Sequence, residues 1–319
     1  MTIRLSPELI AKVIVEDLQA CNVEPTPNDL GTVWTSTHDL DMRWDMMADV
    51  VAIHGIFMNH SSRRDMAGKW RDSIVSGLYN VRYPQADSVT LECAFYGHLY
   101  DGKAAGDSAY HISDLEPGLE QDLFLAIGDA ADGAEPDEDG TKIWLPNPLQ
   151  QAIRRIERHG IFDGVASRVI LIVKQVGRYF RDPEFARSAQ DELTQAMETN
   201  PRVLIAHSLG SVIAYDWLRQ QDPAPVSTLI TIGSPLGFRG IRRALHPQLD
   251  ESLPPWPGVS TWINVAAVED AVATVKELDG LFSGHVSDKS ARNTRRTAHS
   301  AVKYLQNVHT SSALKAALG

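Results

Sequence analysis

Val203-Leu204-Ile205-Ala206-His207-Ser208-Leu209-Gly210 is the stretch on which the fold turns. Val203 to Ala206 is a short apolar run with two β-branched residues, too short for a helix, and it predicts a buried strand. Ser211 to Gln220 predicts a helix. Working outward, Val50–Ile53, Val89–Phe95, Thr228–Ile232 and Val259–Val265 are runs of the same kind. Their near-continuous apolar character fits strands covered on both faces, as in a parallel sheet. Helical patterns separate them: Met66, Trp70, Ile74 and Leu78 recur every fourth residue, as do Phe185, Ala189, Leu193 and Met197. Asp182-Pro183 opens the second of these with an acidic cap and a proline at the first helical position. Strands alternating with helices predict an α/β fold with a mostly parallel central sheet flanked by helices.

The segment 97–180 breaks that rhythm. It carries an acidic, glycine-containing stretch, Asp129 to Gly140, that reads as a solvated loop. An amphipathic helix around Leu149, Ile153 and Ile156 follows, then another from Val165 to Phe180. Such an insert is too long for an ordinary connection and too patterned for a linker, and it is read as a helical cap over one end of the sheet. The core is assigned to 46–96 and 181–319. Residues 1–45 hold one amphipathic helix, Pro7 to Ala20, read as an extension packed on the core.

Composition narrows the function. The chain has 319 residues, with 30 Lys and Arg against 41 Asp and Glu, a formal charge of −11. That balance argues against nucleic acid as the main ligand, because phosphate binding needs clustered positive charge. Arg292, Arg295 and Arg296 form a local basic cluster. The two cysteines, Cys21 and Cys93, make no metal-type pair and no disulfide scaffold. The histidines lack metal-ligand spacing, and neither a phosphate-binding nor a dinucleotide-binding glycine loop occurs. No metal or cofactor is expected. No apolar run spans a bilayer and no signal segment is evident, so a cytoplasmic protein without stable membrane insertion is expected. The oligomeric state is left open.

Four local signals carry chemistry. A serine on a sharp strand-to-helix turn is held out at the end of a sheet, and small neighbours are needed because the turn is tight. Ser208 sits in such a turn, with Ala206 where the usual pattern has glycine; the alternative is a helix N-cap. His54-Gly55-Ile56 follows the first core strand. An acyl-transfer intermediate carries an oxyanion that needs two backbone donors, and the N–H groups of Ile56 and Leu209 are the candidates; His54 reads as a loop residue rather than a base. Asp270 follows the strand Val259–Val265 and is the favoured acid, with Glu269 beside it and a simple helix-capping role as alternatives. A base must come later in the chain. His299, at a predicted helix start, is favoured over His285 and His309.

With these residues in place, the chain resembles the α/β-hydrolase superfamily of serine esterases, lipases and thioesterases. The matching pieces are Val50 to Ile56, Val203 to Gly210, Thr231 to Gly237, Asn264 to Ala273 and Ala298 to Leu305. The resemblance implies the α/β-hydrolase fold, a Ser208–Asp270–His299 triad and an oxyanion hole at Ile56 and Leu209. Phe57 and Met58, where relatives often have glycine, are assigned to the wall of an acyl pocket. The expected activity is hydrolysis of a small-molecule or lipid-like acyl ester. A thioesterase or acyltransferase on the same residues, or a non-catalytic binding module, is the alternative.

Overall fold

A computed structural model describes residues 47–56, 62–100, 110–132, 148–159, 166–247 and 253–319. The chain divides into two units, Met1–Met47 and Ala48–Gly319, and the described strands and helices all belong to the second. The predicted helix Pro7 to Ala20, with the rest of the expected 1–45 extension, lies outside the described residues, as do Phe57 and Met58.

Six strands form one sheet: β1 (Val50–Ile53), β2 (Leu91–Ala94), β3 (Val203–His207), β4 (Thr228–Ile232), β5 (Thr261–Ala267) and β6 (Ser287–Ala291). Their order is β2-β1-β3-β4-β5-β6, and every pairing is parallel. The register aligns the strand ends. Ile53 pairs with Ala94 and Ala206, His207 with Ile232, and Ala267 with Ala291. The segments that follow β1, β3, β4, β5 and β6 therefore emerge along the same edge.

Around the sheet lie α1 (Arg63–Asn80), α2 (Leu119–Asp132), α3 (Pro148–His159), α4 (Ala166–Arg181), α5 (Pro183–Met197), α6 (Leu209–Leu218), α7 (Arg239–Leu245), α8 (Ala301–Leu305) and α9 (Val308–Leu318). Strand alternation sorts the core into two layers. Val51, Ile53, Leu204, Leu229 and Trp262 join residues of α2 to α6 in one buried cluster. Val50, Ala52, Val203, Ile205, Ile230 and Val265 face the other way, against Trp70 and Ile74 of α1 and Leu314 of α9. Both faces are covered, which is why these strands read as unbroken apolar runs.

The two predicted periodic helices form as read. Met66, Trp70, Ile74 and Leu78 are the buried face of α1, and Phe185, Ala189, Leu193 and Met197 that of α5. Asp182 caps α5 by accepting from the Phe185 amide at 3.1 Å. Four differences stand out. The strand predicted over Val259–Val265 runs from Thr261 to Ala267, and that over Val89–Phe95 from Leu91 to Ala94. Ser287–Ala291 is a strand that apolar patterning does not reveal: as the sheet's outer strand it exposes Lys289 and Ser290 and needs little apolar character. Asp129 to Asp132, read as loop, continues α2. Among the described residues no helix is long and apolar enough to cross a membrane.

Candidate active site

Ser208 follows β3 directly and precedes the first residue of α6. Its φ of 53° and ψ of −128° lie in a region that a non-glycine residue enters only under constraint. The surroundings supply that constraint. The Ser208 amide donates to the Ile232 carbonyl at 3.1 Å, and the Ser208 carbonyl accepts from the amide and the hydroxyl of Ser211 at 2.9 and 2.6 Å. Gly55 lies so close that an added Cβ would stand 2.5 Å from that of Ser208. Ala206, in place of the usual glycine, is fully buried in the apolar layer beneath α6.

The Ser208 side chain does not cap α6. Its Oγ lies 2.8 Å from Nε2 of His299, and Nδ1 of His299 lies 2.8 Å from Oδ2 of Asp270. An ionised carboxylate only accepts, so Nδ1 carries a proton, and Nε2 is the ring nitrogen that faces the serine. Their side chains are largely sealed from solvent, with Ser208 at 1% exposed, Asp270 at 0% and the His299 side chain at 7%.

Asp270 is held by more than His299. Oδ2 also accepts from the Tyr304 hydroxyl at 2.7 Å, and Oδ1 accepts from the Val272 amide at 3.0 Å. Lys276 donates its ammonium to the Asp270 carbonyl. Burial pushes the carboxyl up, but the adjoining His299 ring, Lys276 and Tyr304 outweigh it, so the group lies below the usual carboxylate range. No helix starts at Ala271, which removes a capping role for Asp270. Glu269 is turned elsewhere, accepting from the Asn293 amide at 3.1 Å.

The other histidines separate cleanly. His285 is exposed and paired with Asp279 at 3.0 Å. His309 is on α9, beside Thr261 and Ile263 of β5. His54 is buried and stacked 4.1 Å from the Tyr96 ring. Its Nδ1 donates to the Gly55 carbonyl and its Nε2 accepts from the Tyr96 amide at 3.1 Å. Burial drives its pKa down to about 3, so it is a neutral structural ring.

Ile56 follows β1 and Leu209 begins α6, on the edge that carries Ser208. Among the described residues, neither N–H is taken up in a backbone hydrogen bond. Their side chains are buried in the same apolar cluster as those of α2, α3 and α4. No group of His, Cys, Asp and Glu among the described residues has the makings of a metal site.

Sequence reading passed over three neighbours of the site. Tyr304 reads as an apolar anchor of α8, yet its hydroxyl accepts from the Ala267 amide at 2.8 Å and so aims its proton at Asp270. Lys276 carries no motif. His207 lies inside the motif itself, and its Nε2 reaches the His299 carbonyl at 3.1 Å. The chain has no significant match among protein-family models, curated proteins or solved structures.

Proposed function

We propose that this protein is a serine hydrolase of the α/β-hydrolase fold that cleaves a carboxylic ester through an acyl-enzyme on Ser208. One observation carries the reading: the unbroken hydrogen-bond line Ser208 Oγ–His299–Asp270, 2.8 Å at each step, on a serine held at φ 53°. An imidazole set between a hydroxyl and a carboxylate is an arrangement that activates a serine. The strand order, and the exit of nucleophile, acid and base from the ends of β3, β5 and β6, support the fold assignment.

In this mechanism Ser208 Oγ attacks the ester carbonyl while His299 Nε2 takes the hydroxyl proton. Asp270 holds the imidazole in the Nδ1–H form and stabilises the imidazolium. The Ile56 and Leu209 amides donate to the oxyanion; losing one such donor costs on the order of 3 kcal/mol of barrier. Collapse breaks the C–O bond, and His299 returns the proton to the departing alkoxide. Water, deprotonated by the same imidazole, then attacks the acyl-enzyme and releases the acid and free Ser208. We assign α2, α3 and α4 to a cap, because their apolar faces share a cluster with Ile56 and Leu209.

The test is labelling by a fluorophosphonate probe, on wild type and Ser208→Ala, followed by p-nitrophenyl esters of increasing chain length. Labelling that vanishes in Ser208→Ala is the expected result. A folded wild type that takes no label would overturn the proposal.

A further inference from the structure

We infer that His207 is a positioning residue for the base: its ring ties the loop carrying His299 to the turn carrying Ser208. The inference rests on the proposed hydrolase reading and extends it to a residue outside the triad.

A general base must be held to a fraction of an ångström, and misplacement by about 1 Å can cost 10²-fold in rate. Asp270 fixes the His299 ring, but the loop behind that ring needs its own hold. His207 reaches the backbone there: its Nε2 lies 3.1 Å from the His299 carbonyl, which fixes the proton on Nε2. The two rings stand 4.7 Å apart at 37°. On its other side, Nδ1 lies against Gly55, where an added Cβ would come within 3.1 Å. Trp70 of α1 meets the ring edge-on at 6.2 Å, and Tyr304 of α8 lies at 6.4 Å. One side chain thus touches the segment after β1, the base loop and α1, and its own backbone leads into Ser208.

The tether also has to stay neutral. The titratable groups around it are His299, Asp270, His54 and Tyr304. A charge on His207 would oppose the imidazolium that His299 becomes during the reaction. Burial first, then the neighbouring His299, drive the His207 pKa down to about 3, against a smaller opposing pull from Asp270. Across neutral pH His207 therefore keeps one tautomer and does not compete for the serine proton.

The experiment compares wild type, His207→Phe and His207→Gln. Phenylalanine keeps the ring volume and removes the donor; glutamine puts an amide N–H near the Nε2 position. The readouts are the second-order rate of fluorophosphonate inactivation and its pH midpoint, kcat and KM on a p-nitrophenyl ester, and the thermal midpoint. In His207→Phe, inactivation rate and kcat should fall about 10-fold with KM within about twofold. His207→Gln should recover most of that loss, and the pH midpoint should match wild type in both. Wild-type rates in His207→Phe overturn the inference, as does equal loss in both variants tracking a common fall in thermal midpoint. A pH midpoint moved by about one unit, a tenfold change in proton affinity, also overturns it, because His207 would then be titrating. If wild type itself takes no label, the hydrolase reading fails separately. Amide exchange over residues 293–300 then decides the tether: faster exchange in His207→Phe supports it, and unchanged exchange overturns it.

Discussion

Replacing Asp270 by asparagine separates two jobs that the carboxylate does at once. The side chain meets three donors: His299 Nδ1 and the Tyr304 hydroxyl on Oδ2, and the Val272 amide on Oδ1. An amide has one acceptor oxygen and one NH₂ group, so one side must confront a donor. With the NH₂ at the Oδ1 position the hydrogen bond of Val272 is lost; with the NH₂ at Oδ2 that of Tyr304 is lost, while His299 keeps its own by accepting at Nδ1 in the inverted tautomer. Each is worth about 1 kcal/mol, so the two orientations are nearly balanced, and the share with the amide oxygen at His299, which preserves the Nδ1–H tautomer, carries the activity. What disappears is the charge. Unit charges ~4.5 Å apart at an effective dielectric of ~20 interact by ~4 kcal/mol, a loss on the order of 500-fold in rate. Inverting the tautomer instead costs about 10⁴-fold. The assay is kcat/KM on a p-nitrophenyl ester at neutral pH, with thermal unfolding to verify the fold. Asp270→Asn should lose on the order of 500-fold. Tyr304→Phe alone should lose about fivefold, and the double variant should fall towards 10⁴-fold, because without the Tyr304 donor nothing opposes the orientation that inverts the tautomer. A 10⁴-fold loss in Asp270→Asn that the second substitution does not deepen would refute the reasoning.

Three further outcomes are expected. His54 and His207 have folded pKa values near 3 against an ordinary 6.5, so the unfolded chain binds the extra protons. Their stabilising contribution is complete above pH 6.5 and is lost as pH falls towards 3, on the order of 2 kcal/mol for each histidine at pH 5. Urea midpoints that stay flat between pH 8 and pH 5 would contradict this ~2 kcal/mol effect. The Glu120 carboxylate, fully buried on α2, accepts from Lys174 at 3.1 Å and pairs with Arg181, both on α4. Glu120→Ala is expected to destabilise by about 3 kcal/mol, at the low end for a broken buried pair because Arg181 stays half exposed, and chemical denaturation reads it. Gly55→Ala has no room for its methyl beside Ser208. It should cost about 1–3 kcal/mol of stability and most of the phosphonate labelling, and full labelling at an unchanged melting temperature would count against the close approach.

How far the molecule is legible in its sequence depends on whether a signal is local. The turn at Ser208 is local: strand, small residue, serine and helix lie within eight positions, Val203 to Gly210, and the backbone there follows the pattern. Asp270 and His299 are legible by their order behind strands, and they meet Ser208 in a single line. Relations across the chain leave no such trace. Tyr304 looks apolar by its neighbours, and its hydroxyl matters only because the sheet brings Ala267 and Asp270 to it. His207 looks like the variable position of a motif until the loop after β6 folds over it. The outermost strand escaped for a related reason: Ser287-Asp288-Lys289-Ser290-Ala291 is polar because little covers it, and Asp288 spends its carboxylate on the Leu278 and Asp279 amides.

The glycine at the end of β4 follows from the same geometry. Ser208 follows β3 and Asp270 follows β5, and these strands are not neighbours, for β4 lies between them. The line from Ser208 through His299 to Asp270 must therefore pass over the point where β4 stops. Gly233 occupies that point, at φ 57°, with its amide donating to the Val265 carbonyl at 3.0 Å. A Cβ there would stand 2.9 Å from Asp270 Oδ2 and 3.2 Å from His299 Nδ1, inside the acid–base pair itself. Glycine keeps that space open. Gly233-Ser234-Pro235, a segment without a carboxylate, is thus as much a part of the site's construction as the three residues that span it.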